Sequence, residues 1–426
     1  MRLSLINLKE ECRNIMSKEA ALDEALFIAS GIPDADSGFE NLSFMSGALG
    51  RAVFLSAAEV FEENLEKRFE YKAYRDKAYA CISEELSVLP LQETGNITMD
   101  ISLACGLSGI IHSLLLIHKI TGQLNTSLFN QAMNLIPYYS PAKEASPDFY
   151  LGLSGYIYAL CELLDFYDDE ALSDASIYET VLGKIEEAMD FLLSCKTLPF
   201  QTAWEVNPET VLLWDTIKCQ KPISGLGHGM LGIAVALIKG SERLKKSAIP
   251  VSKEKMPEYI KAFHDALKFE YHTYNSDLHD WPDLRPKATD VTSLHGICSG
   301  AAGIGLGLLC LESDILADER NSILSLVHES CLMSLLRAED HLCCGKSAIC
   351  EYLLTRYNSK KDFSDYEAAG CLLDLMKNER TKRSAANYML NPAIPKTDTS
   401  LFFGSSGIGY EFLRFYAPDR IPSVFF

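Results

Sequence analysis

The feature that most constrains the fold is a short glycine motif that recurs seven times. Each copy reads Gly-x-x-Gly, or in one case Gly-x-x-Ala, and opens a helix-length apolar run. The copies begin at Gly47, Gly106, Gly152, Gly229, Gly300, Gly345 and Gly404, and the sixth ends on Ala348. Successive first glycines stand 59, 46, 77, 71, 45 and 59 residues apart. The shorter steps are the length of two helices and two loops. Between copies, residues 54–70, 178–194 and 321–337 mix apolar and charged side chains at helical spacing. Each unit therefore pairs an apolar inner helix, starting at the glycines, with an amphipathic outer helix.

Seven such hairpins closing on themselves make an all-α fold, an α/α toroid or barrel. An open solenoid of the same units is the alternative. Closure is favoured because the first and last copies both carry the full motif and neither looks like a polar cap. Glycine at the inner-helix N-termini permits sharp turns and close helix approach. It also aims free N–H groups and the positive dipole end at the centre of one face, where a site built from several copies is expected.

The two longest steps hold irregular segments near 196–224 and 272–297. The first, with Pro199, Trp204, Pro208 and Trp214, lacks a helical period and is expected to be an extended loop or a small β excursion. The second contains Asp280-Trp281-Pro282-Asp283-Leu284-Arg285-Pro286, a rigid polar loop with Trp281 as an anchor. There Arg285 is a candidate to hold a peptide carbonyl or an acidic side chain. No low-complexity linker divides the chain, so residues 1–426 are expected to form a single domain.

Charge and cysteine content narrow the function classes. A net charge of −19 is unfavourable for nucleic acid, which needs clustered Lys and Arg. The N-terminus turns acidic at Glu10 and Glu11 before any long apolar core, so no signal peptide is expected. The longest apolar candidate, Ile110 to Ile120, is interrupted by His112, His118 and Lys119, too short and too polar for a membrane span. A cytoplasmic chain follows, in which the thirteen cysteines are core residues, metal ligands or nucleophiles and not disulfides.

Three cysteines stand apart from the rest. Cys298 precedes the fifth glycine motif, and Cys343-Cys344 directly precede the sixth. Adjacent cysteines cannot both enter one core from a regular helix. At a helix N-terminus both can reach one point, where the dipole favours thiolate. Three such sulfurs can form three corners of a tetrahedron around zinc, leaving the fourth open. Small buried core residues are the plainer alternative. His228, flanked by glycines immediately before the fourth motif, is a candidate general acid/base, with a capping histidine as the alternative. Asp148, four residues before Gly152, can face the same centre or simply cap a turn. His295 and His341 lie near the cysteines, as outer-layer partners or as exposed loop residues.

These residues resemble a known family. Gly225-Leu226-Gly227-His228-Gly229-Met230-Leu231-Gly232, Cys298-Ser299-Gly300-Ala301-Ala302-Gly303 and Cys343-Cys344-Gly345 are similar, in order, to the three signatures of the lanthionine synthetase C-like cyclases. The 280–285 loop and the tail from Gly404 to Val424 look like the C-terminal cyclase domain of class II lanthipeptide synthetases. The resemblance covers nearly the whole chain. It implies an α/α toroid with one Zn2+ held by Cys298, Cys343 and Cys344, with His228 as acid/base and Asp148 as the active-site aspartate. It implies a dehydrated precursor peptide, leader plus core, as substrate, with a separate or fused dehydratase as partner.

The implied reaction joins a substrate Cys to a dehydroalanine or dehydrobutyrine through a thioether. A free thiol, with a pKa of about 8.5, is mostly protonated at neutral pH; metal coordination would deprotonate it, and His228 would return a proton at Cα. Several usual residues differ: Ile297 stands for a tryptophan, Ser299 for a tyrosine or histidine, Leu294 for an arginine and Ala348 for a glycine. A zinc protein that binds thiols such as glutathione without forming rings is a second reading. A toroidal glycosidase is a third; it needs paired carboxylates, and only Asp148 is well placed.

Overall fold

The computed structural model describes residues 15–32, 38–88, 101–141, 145–170, 175–202, 209–246, 255–285, 296–334, 339–382, 388–390 and 395–425. Among them are fourteen α-helices and one two-stranded sheet. No described helix is long and apolar enough to cross a membrane.

The chain forms two compact units. The first comprises residues 1–88, 113–129 and 329–426. It holds α1 (Lys18–Ser30), α2 (Ala48–Glu59), α3 (Leu65–Val88), α12 (Lys346–Lys360), α13 (Phe363–Lys382) and α14 (Ser405–Tyr416). The second comprises residues 89–112 and 130–328. It holds α6 (Leu153–Asp169), α7 (Ala175–Ser194), α8 (Met230–Lys246), α9 (Met256–Thr273), α10 (Ala301–Leu309) and the hairpin β1 (Lys196–Thr202) with β2 (Glu209–Trp214). The helices α4 (Leu107–Thr121) and α11 (Ala317–Met333) contribute residues to both, and α5 (Thr126–Leu135) lies across the same boundary.

All seven glycine motifs start helices: α2, α4, α6, α8, α10, α12 and α14 each begin at the residue after the first motif glycine. The reason for the second glycine is steric. A Cβ on Gly50, Gly155, Gly232, Gly303 or Gly407 would lie 2.0–2.1 Å from the carbonyl oxygen of the residue six positions earlier. The loop folds back onto the helix it introduces, and only a hydrogen fits. Three of these glycines also touch the copy before their own. Gly155 faces Leu103 Cβ, Gly232 faces Phe149 Cβ and Gly407 faces Leu342 Cβ, each 2.8–2.9 Å from where a methyl on the glycine would sit. In the sixth copy, where alanine replaces the second glycine, Ala348 donates its N–H to Gly345 O at 3.0 Å, a tighter first turn.

Inner helices are buried on nearly every side, as α8 shows from Met230 to Ile238. Outer helices bury one stripe, as in α7 with Val181, Leu182, Ile185, Ala188, Met189 and Leu192. In the first unit α2 packs on α3, α12 on α13, and α14 on α1. The seventh hairpin is thus completed by the N-terminal helix, whose Ala21, Ala25, Ile28 and Ala29 are buried. Copy seven also meets copy one directly: Gly50 faces Leu401, and the Phe402 N–H donates to Met45 O at 3.0 Å. In the second unit α8 packs on α6, α7, α9 and α10.

One expectation needs correction, and one is narrowed. Residues 54–70 are not one outer helix; α2 ends at Glu59 and α3 starts at Leu65, where the Asn64 side chain caps the Glu66 and Lys67 N–H groups. The 196–224 segment resolves its two options as a β-hairpin, antiparallel from Lys196↔Trp214 to Thr202↔Glu209. Trp214 is fully buried and donates its indole N–H to Leu192 O at 2.7 Å.

Candidate metal and acid/base centre

Every candidate residue comes from a fixed slot of the repeat. Cys298 and Cys343 stand two residues before their motif glycines; Cys344 and His228 stand one residue before theirs. The first of these slots links copy to copy through its backbone. In the second unit the Ala104 N–H donates to Tyr150 O at 2.9 Å, and the Tyr150 N–H to Gly227 O at 3.2 Å. In the first unit the Cys343 N–H donates to Phe402 O at 3.0 Å, and Phe402 passes the pattern to Met45. Within each unit the slot is loop backbone just outside the inner-helix N-termini.

Cys343 is 6% exposed and Cys344 half-buried, with sulfurs 3.4 Å apart. Cys298 is 7% exposed and follows Ile297, whose carbonyl forms the backstop for Gly303. The ligand atoms of Cys298, Cys343 and Cys344 all lie within 4.8 Å of one another. Tetrahedral zinc with Zn–S bonds of about 2.3 Å separates its sulfurs by roughly 3.8 Å. The cluster brackets that spacing, and its all-thiolate donor set suits a soft metal.

The turn before α12 is held by His341, which is buried and not exposed. Its Nδ1 accepts the Cys344 N–H at 3.4 Å and its Nε2 bonds Glu339 at 2.8 Å. His295 and Leu294 lie outside the described residues.

In the second unit His228 Nδ1 and Asp148 Oδ2 are 2.7 Å apart; the Asp148 side chain is 1% exposed and that of His228 18%. Asp148 caps its own turn and also reaches the histidine. Its Oδ1 accepts the Tyr150 and Leu151 N–H groups, each at 2.8 Å, and its Oδ2 holds the histidine. The Tyr150 ring meets His228 edge-on at 5.7 Å. The Thr216 hydroxyl donates to His228 O at 2.5 Å, and Ser146 Oγ donates to Thr216 O at 3.0 Å. The segment leaving the β-hairpin therefore clamps the histidine loop.

The 280–285 loop supports the same region. Trp281 is fully buried with its indole N–H on Glu270 O at 2.6 Å, as an anchor should be. Asp280 Oδ1 accepts the Ala301 N–H at 3.0 Å, so it caps α10 from outside. Arg285 holds Asp283 through Nε and Nη2 at 2.7–3.1 Å. Burial raises Asp283, but the Arg285 bonds outweigh it and hold the carboxyl below its ordinary range, with the His228 charge adding to the effect.

The family model for lanthionine synthetase C-like proteins matches residues 38–426. The chain belongs to this family. This lanthionine synthetase C-like protein is similar in structure to nisin cyclase, with a TM-score of 0.56 and 16% identity over 90% of this chain and 91% of that one. The likeness shows the fold class expected from the repeat, the all-α toroid. A search of curated proteins finds no match.

Sequence reasoning missed Glu270, Tyr150 and Thr216. Glu270 had a readable signal: it is a carboxylate on the stripe of α9 that otherwise buries Tyr259, Ala262, Phe263, Ala266, Leu267 and Phe269. Tyr150 lay in the slot of Cys298 and Cys343, which only the backbone pattern makes visible.

Proposed function

We propose that this lanthionine synthetase C-like protein is a peptide cyclase acting as one domain over residues 1–426. It would join Cys thiols to dehydroalanine or dehydrobutyrine in a dehydrated precursor peptide. The observation that carries the reading is the convergence of the Cys298, Cys343 and Cys344 sulfurs at slots that open inner helices. Family membership and the likeness to nisin cyclase support it.

Cys298, Cys343 and Cys344 would hold Zn2+, which when bound supplies Lewis-acid activation of a substrate thiol. The chain's own groups handle orientation and the proton. Asp148 Oδ2 accepts from His228 Nδ1–H, which fixes the tautomer and turns Nε2 toward the reacting peptide. The substrate S–H adds across the C=C bond: the thiol proton passes to His228, sulfur bonds to Cβ as the π pair moves to the enolate, and His228 returns that proton to Cα. No atom is lost. Helix N-terminal N–H groups stabilise the enolate oxygen. A dehydratase, separate or fused, must supply the alkene.

The test uses a dehydrated peptide with free cysteines. Ring formation leaves the peptide mass unchanged and removes its reactivity toward a thiol alkylating agent. Loss of alkylation with the protein present supports the reading. Unchanged alkylation, with glutathione consumed instead, would replace it by thiol handling.

A further inference from the structure

The loop bearing His228 is held by a carboxylate with no place in the cyclisation chemistry. Glu270 in α9 is fully buried. Its Oε1 accepts the Gly225 N–H at 3.0 Å, and its Oε2 accepts the Ser224 hydroxyl. These two donors lie three and four residues before His228, and the Leu231 backbone N–H, in the first turn of α8, is a third. That loop has no slack. Gly225 is at φ +109, and a Cβ on it would lie 2.9 Å from Cys298 O and Ser299 Cα. A Cβ on Gly227 would lie 2.9 Å from Cys298 Cα and 2.4 Å from the Tyr150 ring. The loop is wedged between Tyr150 and the backbone of Cys298.

The same residue reaches the other side of Cys298. The Glu270 carbonyl accepts the Trp281 indole N–H at 2.6 Å, and the adjacent Asp280 caps Ala301, the first residue of α10. Glu270 thus ties together the loop that ends in His228 and the loop that fixes the helix opening after Cys298-Ser299-Gly300. Burial pushes its carboxyl up to about 7, and the hydrogen bonds from Ser224, Gly225 and Leu231 partly offset this. A buried acid kept in spite of that cost is kept for its two acceptors.

We infer that Glu270 is a positioning residue for ring closure, setting where His228 presents Nε2 relative to Cys298 without touching substrate. The inference rests on the cyclase reading for its kinetic consequence, but its geometric consequence is independent of it. Glu270→Ala leaves the Gly225 N–H and Ser224 hydroxyl without their acceptor. It is expected to retain zinc and a KM within about twofold, while kcat falls by at least about tenfold, since small misplacements of a reacting group are costly. Glu270→Gln, whose Oε1 still accepts the Gly225 N–H, recovers most of the loss.

The readout independent of turnover is the His228 pKa, followed by NMR on ring-labelled histidine. In Glu270→Ala it moves as the ring loosens from Asp148. A folded Glu270→Ala protein with wild-type kcat and an unmoved His228 titration overturns the inference. If Glu270→Ala does not fold, Ser224→Ala removes one of the three bonds and is judged by the same two measurements. His228→Ala is the control: if it cyclises at the wild-type rate, the acid/base reading fails, and the titration alone decides whether Glu270 positions the ring.

Discussion

Asp148 Oδ2 and His228 Nδ1 sit 2.7 Å apart, while Asp148 Oδ1 caps the turn before its own helix. One carboxylate does two jobs on neighbouring copies of the repeat. Asp148→Asn keeps an oxygen for the Tyr150 and Leu151 N–H groups and loses the charge beside the histidine. The fold is therefore expected to persist, with a thermal midpoint close to wild type. Cyclisation should slow by roughly 100-fold, within the usual range for disabling general acid/base transfer. A rate within about twofold of wild type would remove the pair from the mechanism.

The sulfur cluster makes a prediction that needs no substrate. Cys298→Ala, Cys343→Ala and Cys344→Ala each leave only two thiolates of a three-thiolate set, too few for a stable structural grip. Metal analysis should find one zinc per wild-type chain and a clear deficit in each variant. Full stoichiometry in all three would end the assignment.

Much of this was legible from the chain. The glycine motifs predict all seven inner-helix starts, because a helix that begins under a folded-back loop needs glycine at both places. The slots of Cys298, Cys343, Cys344 and His228 follow from the same register. What failed was local. Residues 54–70 keep a helical period across Glu62, Glu63 and Asn64, and only the capping role of Asn64 breaks it. The partner of α14 was also hidden, since α1 lies almost a chain length away and no periodicity links them. The Glu270 contacts join residues 45 and 46 positions apart, beyond any local pattern.

The steric reading of the motif is tested by two opposite glycine substitutions. Gly232→Ala puts a methyl 2.0 Å from Leu226 O and 2.8 Å from Phe149 Cβ. It should destabilise by about 1–3 kcal/mol or more, read as a lower urea midpoint. Gly183, in the middle of α7, has open space where a Cβ would sit, with nothing within 4 Å. Gly183→Ala should instead stabilise by about 0.5–1 kcal/mol.

Glu270 makes stability depend on pH in a definite direction. Its carboxyl goes from 4.5 in the unfolded chain to about 7 when buried, so the folded state binds more protons across that window. Stability contributed by the protonated acid is complete below the unfolded value and is lost as pH rises through the folded one. The full span is about 3 kcal/mol. Glu270→Gln cannot titrate. The stability difference, wild type minus variant, should therefore fall between pH 4.5 and pH 7 and level off above. A flat difference would show that the group is not shifted by burial.

The folding unit is expected to begin before the family match does. That match starts at residue 38, yet α1 at Lys18–Ser30 packs on α14, the helix of the seventh copy. Its Glu24 is buried, accepting from the Tyr388 hydroxyl at 2.6 Å and pairing with Arg380 at 2.5 Å and Lys377 at 3.6 Å. A chain starting at residue 38 uncovers the α14 face that meets Ala21, Ala25, Ile28 and Ala29, and strips Tyr388 and Arg380 of their buried acid. Buried apolar area and an unpaired buried polar group each cost about 1–3 kcal/mol per site, enough in sum to exceed the margin of an ordinary domain. The shortened chain should be insoluble or lack a cooperative thermal transition. Adding back residues 15–37 as a separate peptide should restore the transition in proportion to peptide concentration. A shortened chain that melts like the full one would mean that α1 is ornament, and that the first six hairpins with α14 hold themselves together.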